Sequence, residues 1–143
     1  MMDKAAVTAR LRQAIHQARH PEDLEGELRA VTHELDEAGA GVWAIDSVLR
    51  FMEENPESEF GIPGPLVHFV ERFIGAGYEQ ELLASLVRRP VDHTVWMLNR
   101  LINIADAETR ARYLSALGAA GEHPGADALT RASVKRFLER QES

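Results

Sequence analysis

The sequence predicts an all-α fold: about eight helices with short connections, stacked in antiparallel pairs, in one domain over residues 1–143. Three observations carry that prediction. Apolar residues recur three and four apart in each stretch between chain breakers, which lays an apolar stripe along one helix face. Proline, glycine and capping aspartate fall between those stretches. No run alternates β-branched with polar residues as a half-buried strand would.

The first helix covers residues 3–19, with Val7, Leu11, Ala14, Ile15 and Ala18 as its stripe. His20-Pro21 breaks it. Pro21-Glu22-Asp23 opens the second, with proline in the first turn and acids at the positive end of the helix dipole. Its stripe is Leu24, Leu28, Val31, Leu35 and Ala38, and Gly39-Ala40-Gly41 makes the next turn. Residues 42–54 form a third helix, stopped by Asn55-Pro56. ENPESEFGIPGP (54–65) holds three prolines, two glycines and three acids, so it stays irregular, either as a plain surface connection or as one that carries contacts.

Most of the large apolar side chains lie between Phe60 and Ala105. Leu66, Phe69, Val70, Phe73 and Ile74 give a helix over 65–75, closed by Gly75 and Gly77. Tyr78, Leu82, Leu83, Leu86 and Val87 stripe the next, with Arg88 and Arg89 at its negative dipole end and Pro90 as the break. Val91 to Ala105 is apolar around most of its girth through Val95, Met97, Leu98, Leu101, Ile102 and Ile104, so it is expected to be the most buried helix, on which the rest packs. Asp106 caps a helix with Glu108 in its first turn and Ala111, Leu114 and Leu117 as its stripe. A loose turn over Gly118–Gly125 leads to a last helix, roughly 126–140, with Leu129, Val134, Phe137 and Leu138.

Composition narrows the function classes. A chain of this length buries a normal core without staples. Without cysteine it can form neither disulfides nor thiolate metal sites. The start, MMDKAAVTARLRQ, lacks the apolar core of a secretory signal, and no apolar run approaches a membrane span. The expectation is a soluble, cytoplasmic protein with no membrane partner. The net charge of −7 is unevenly placed: residues 1–20 carry +3, residues 21–60 carry −10, and residues 61–143 balance. So dense an acidic segment repels phosphate and attracts basic surfaces, which argues against direct nucleic-acid binding. The plainer reading is a solvated face that aids solubility.

A weak internal repeat aligns Val42-Trp43-Ala44-Ile45-Asp46-Ser47-Val48-Leu49-Arg50 with Val95-Trp96-Met97-Leu98-Asn99-Arg100-Leu101-Ile102-Asn103. At one hundred degrees per residue each tryptophan falls beside the polar residues three, four and seven places on, giving two similar ridges. Stacked helical units are the logic of HEAT and armadillo solenoids, so a short α-solenoid of that kind or an irregular bundle is expected, although the offset of 53 residues exceeds the usual period. Each tryptophan either packs between layers or contacts a partner.

Catalytic signatures are scarce, and no enzyme activity or cofactor is expected. His16 and His20 have a zinc-compatible spacing but no following Glu and no third ligand. His68 and Glu71 lack the further glutamates of a di-iron bundle. His93 beside Asp92 reads as a helix-capping group, and no serine stands in a nucleophile elbow. No catalytic, cofactor-binding or metal residue is assigned.

Gly61-Ile62-Pro63-Gly64-Pro65-Leu66-Val67-His68-Phe69, Tyr78-Glu79-Gln80-Glu81-Leu82-Leu83 and His93-Thr94-Val95-Trp96-Met97-Leu98-Asn99-Arg100-Leu101-Ile102-Asn103 together resemble a group of small all-α bacterial immunity proteins found beside polymorphic toxin genes. The resemblance covers residues 61–103 and implies stoichiometric inhibition of a cognate protein toxin, with no catalytic residues. An acidic inhibitor suits a basic toxin such as a nuclease or deaminase domain, because opposite charge speeds association. The expected partner contacts are Glu53, Glu54, Glu57 and Glu59 of the acidic loop, Trp43 and Asp46, His68 and Glu71, and the ridge of Trp96, Asn99, Arg100 and Asn103. The alternative is a HEAT-like adaptor or scaffold module of a cellular complex.

Overall fold

A computed structural model describes residues 2–142, which form eight α-helices: α1 Lys4–Gln17, α2 Leu24–Glu37, α3 Ile45–Glu54, α4 Pro65–Glu71, α5 Tyr78–Arg88, α6 Asp92–Ile104, α7 Ala107–Glu122 and α8 Ala128–Glu142. Short 3-10 turns, Pro21–Asp23 and Val42–Ala44, lead into α2 and α3. No strand occurs among the described residues, and the all-α expectation holds. The chain divides into two compact units, Met1–Glu81 and Leu82–Ser143.

In the first unit α1 packs against α2 and α3, and α2 against α4. The stripes did what their spacing required: Val7, Leu11 and Ala14 on α1 and Leu24, Leu28, Val31 and Leu35 on α2 are buried. Asp3 caps α1 by accepting the Ala6 N–H at 2.9 Å. On α3 the buried Phe51 meets Phe60 of the following loop, ring centroids 5.4 Å apart. This unit has its own centre in α1 and α2.

In the second unit α6 packs against both α7 and α8, and α7 against α8. Val95, Met97, Leu98, Leu101 and Ile102 of α6 are buried. Side chains pair α6 with α8 at a nearly constant offset: Asp92 with Ser133, Trp96 with Phe137, and Asn99 with Gln141. Numbers rising together on both helices mean that α6 and α8 run parallel, with α7 returning between them in the chain. Thr94 fastens the start of α6, its Oγ1 accepting the Val91 N–H at 3.2 Å.

Several expectations are corrected. Gly118 and Gly121 lie inside α7, not in a turn, and the break is confined to residues 123–127. A Cβ on Gly121 would stand 2.8 Å from Cγ1 of Val134, so this glycine is a notch that lets α8 approach. Ile104 and Val87, both assigned to buried stripes, are largely exposed near the ends of their helices.

Candidate functional site

The acidic stretch is best understood through its cations. Arg10 pairs with Glu34 at 2.7 Å, Arg12 with Glu54 at 2.7 Å, Arg29 with Glu25 at 3.4 Å, and Arg50 with Asp46 at 3.0 Å; Arg72 pairs with Asp36, and Lys4 reaches Asp46 at 3.8 Å. The basic start of the chain is thus laid against the acidic segment rather than displayed as a separate positive surface. Glu54 and its hydrogen bonds hold the Arg12 guanidinium above its ordinary pKa. The side chains of Glu22, Asp23, Glu27, Glu57 and Glu59 make no ion pair or hydrogen bond among the described residues, and four of these residues, all but Glu27, are exposed. The first unit carries seven basic against sixteen acidic residues, a net −9, while the second carries nine against seven, a net +2.

The four glutamates grouped as one acidic loop therefore separate. Glu53 and Glu54 belong to α3, not to the loop. Glu53 is only 8% exposed because it lies on the inner face of that helix, and Glu54 is held by Arg12. Only Glu57 and Glu59 project from the loop without a partner.

That loop has a defined shape. The Asn55 side chain donates to the Phe51 carbonyl at 2.9 Å, and the Ser58 N–H donates to the Asn55 carbonyl at 3.2 Å. Phe60 turns inward, 3% exposed. Gly61 and Gly64 have φ of 108° and 90°, where an L side chain is strained. Added carbons there would meet the loop itself: one on Gly64 would overlap the Phe60 carbonyl oxygen, and one on Gly61 would stand 2.6 Å from the Gly64 Cα. The Ile62–Pro63 peptide is cis. The Gly64 carbonyl accepts the His68 N–H at 3.2 Å, tying the loop to α4. Between these anchors Ile62 stands 95% exposed. Ile62 is not among the contacts expected from sequence, although it is the one large apolar residue set among the chain breakers Gly61, Pro63 and Gly64.

Beside the loop, Thr32, Asp36, Pro65, His68, Phe69 and Arg72 line an open depression of about 220 Å³ between α2 and α4. The Arg72 guanidinium lies 4.9 Å from the Phe69 ring centre while it pairs with Asp36. His68 is exposed and stands 4.0 Å from Glu71, which is mostly covered.

The two tryptophan ridges do not share one geometry. Trp43 sits in the 3-10 turn ahead of α3, so the helical angle that placed it over Asp46, Ser47 and Arg50 does not apply. Ser47 is buried, and Asp46 and Arg50 bind each other. Trp96 lies on α6 and is 42% exposed, its ring edge-on to Phe137 at 5.0 Å with the Arg136 guanidinium 5.6 Å away. Asn99 is turned inward, where it and Asn103 accept from Gln141 at 3.2 and 3.0 Å. Of that ridge Trp96, Arg100 and Asn103 remain exposed. The Trp96–Arg136 contact was invisible in sequence because Arg136 is forty residues away.

His16 is exposed on α1, which ends at Gln17, so His20 lies beyond the helix and the pair does not share its face. Among the described residues no three His, Cys, Asp or Glu side chains gather as metal ligands, and no helix is long and apolar enough to cross a membrane. No family model, curated protein or solved structure matches the chain.

Proposed function

We propose that this chain is an immunity protein, which binds a cognate bacterial toxin and blocks it stoichiometrically. The observation that carries this reading is the uncompensated charge of the first unit. Its arginines at positions 10, 12, 29, 50 and 72 are each taken up in an ion pair, leaving Glu22, Asp23, Glu57 and Glu59 bare and exposed. Such a surface attracts a basic partner and raises its association rate by roughly 10–10³ over a neutral one. A nuclease or deaminase toxin must be basic to hold nucleic acid, and the resemblance over residues 61–103 supports the same role. Co-expression tests it. The reading requires a toxin gene beside this one and expects the chain to rescue growth of cells expressing that toxin domain; a locus without such a gene, failure to rescue, or failure to form a one-to-one complex refutes it.

An adaptor module of a cellular complex is the second reading. It is favoured by the half-exposed Trp96 with Arg136 on the net-positive second unit, a second surface of different character. An adaptor predicts a deletion phenotype in pure culture, independent of any competing toxin.

A further inference from the structure

We infer that the 55–64 loop is a preformed docking knob, in which Ile62 enters an apolar pocket on a basic protein partner and Glu57 and Glu59 face the cations around its rim. This rests on the inhibitor reading and names its contact. Ile62 is the most exposed large apolar residue described, at 95% against 76% for Val87 and 68% for Ile104. Those two stand near helix ends, whereas Ile62 is held out by a closed frame.

Phe60 is sunk against Phe51 on one side, and Gly64 is bonded to α4 on the other. Gly61 and Gly64 approach so closely that neither position has room for a side chain. A contact residue whose backbone is already ordered loses little freedom on docking, which is the physical content of preorganisation. An aliphatic anchor in the same loop as exposed charged residues matches the plan of interface hot spots, where a buried centre supplies affinity and the rim governs encounter.

Charge selects the occupant. Glu57 and Glu59 stand exposed in the same loop, their side chains with no internal partner, on a unit of net −9. The same unit of a second copy is therefore repelled, and a pocket rimmed by lysine or arginine is attracted.

The experiment takes the toxin domain that the inhibitor reading requires beside the gene, immobilises it in catalytically inactivated form and measures binding of the full chain; a locus without such a domain overturns both the reading and the knob. Ile62→Asp should weaken the complex at least about 30-fold, mainly through faster dissociation. Glu57→Lys with Glu59→Lys should slow association about 10-fold at low salt and flatten its salt dependence, with little change in dissociation. Leu129→Asp, at an exposed site on α8, should bind as wild type. Circular dichroism and thermal melting check that Ile62→Asp remains folded. If wild type binds and Ile62→Asp binds within twofold of it, the inhibitor reading stands and the knob is refuted. If wild type does not bind, both fall. Should wild type self-associate in sedimentation and Ile62→Asp abolish this, the occupant is a second copy and the inference is likewise overturned.

Discussion

Gly121 faces Val134 so closely that a methyl group on the glycine would stand 2.8 Å from Cγ1 and 3.3 Å from Cβ of the valine. Alanine ordinarily improves a helix interior by roughly 0.5–1 kcal/mol over glycine. Here the added carbon meets a stiff β-branched side chain, and overpacking costs about 1–3 kcal/mol. Gly121→Ala should therefore destabilise the protein in urea titration, and Val134→Ala in the same chain should recover part of the loss. A stabilised Gly121→Ala would mean that α7 and α8 do not meet at this notch.

Trp96→Ala should cost about 1–3 kcal/mol. A fully buried aromatic loses about 3–5 kcal/mol on truncation and a bare surface residue within about 0.5 kcal/mol. Trp96 lies between these limits, with 42% of its surface exposed and one edge on Phe137. A loss below about 0.5 kcal/mol by chemical denaturation would show that the Phe137 contact contributes nothing.

Glu53 and Glu57 should respond oppositely to the same change. Glu53 is 8% exposed on α3, so Glu53→Ala should destabilise by about 1–3 kcal/mol, as expected when a covered polar group is removed from its partners. Glu57→Ala, at an exposed loop position, should stay within about 0.5 kcal/mol. Equal melting temperatures for the two variants would contradict the placement of Glu53.

Asp127 caps α8 by accepting the Thr130 N–H at 2.8 Å. That backbone hydrogen bond, with Arg131 and Arg89 nearby, holds its carboxyl below the ordinary value of 3.8. A carboxyl depressed in the folded state adds stability above its unfolded value, and this is lost as pH falls through the lower folded one. Asp127→Ala should cost about 1 kcal/mol at neutral pH, as loss of an N-cap does. The gap from wild type should narrow once pH drops below 3.8. Asp127→Asn retains a capping oxygen and should lose less. A gap unchanged from pH 7 to pH 3 would remove the charge from the account.

Helices were readable where a single face decides them. Leu24, Leu28, Val31 and Leu35 share one side of α2 by arithmetic alone, and all four are buried. Gly118 and Gly121 misled because glycine signals a turn in isolation, whereas both sit inside α7 and the use of Gly121 depends on Val134 across the unit. The candidate contacts fared less evenly for the same reason. Glu53 and Glu57 look alike in a list of acids, and only the rotation of α3 separates the covered one from the exposed one. That Arg10 and Arg12 neutralise Glu34 and Glu54 is a fact of tertiary structure, beyond any local count of charge.

The closed frame from Phe60 to Gly64 separates two demands that usually fall on the same residues. Its glycines answer to folding, since neither position has room for a side chain. Ile62 answers to almost nothing inside the molecule. A single codon at position 62 can thus change what this surface offers without disturbing the backbone that presents it.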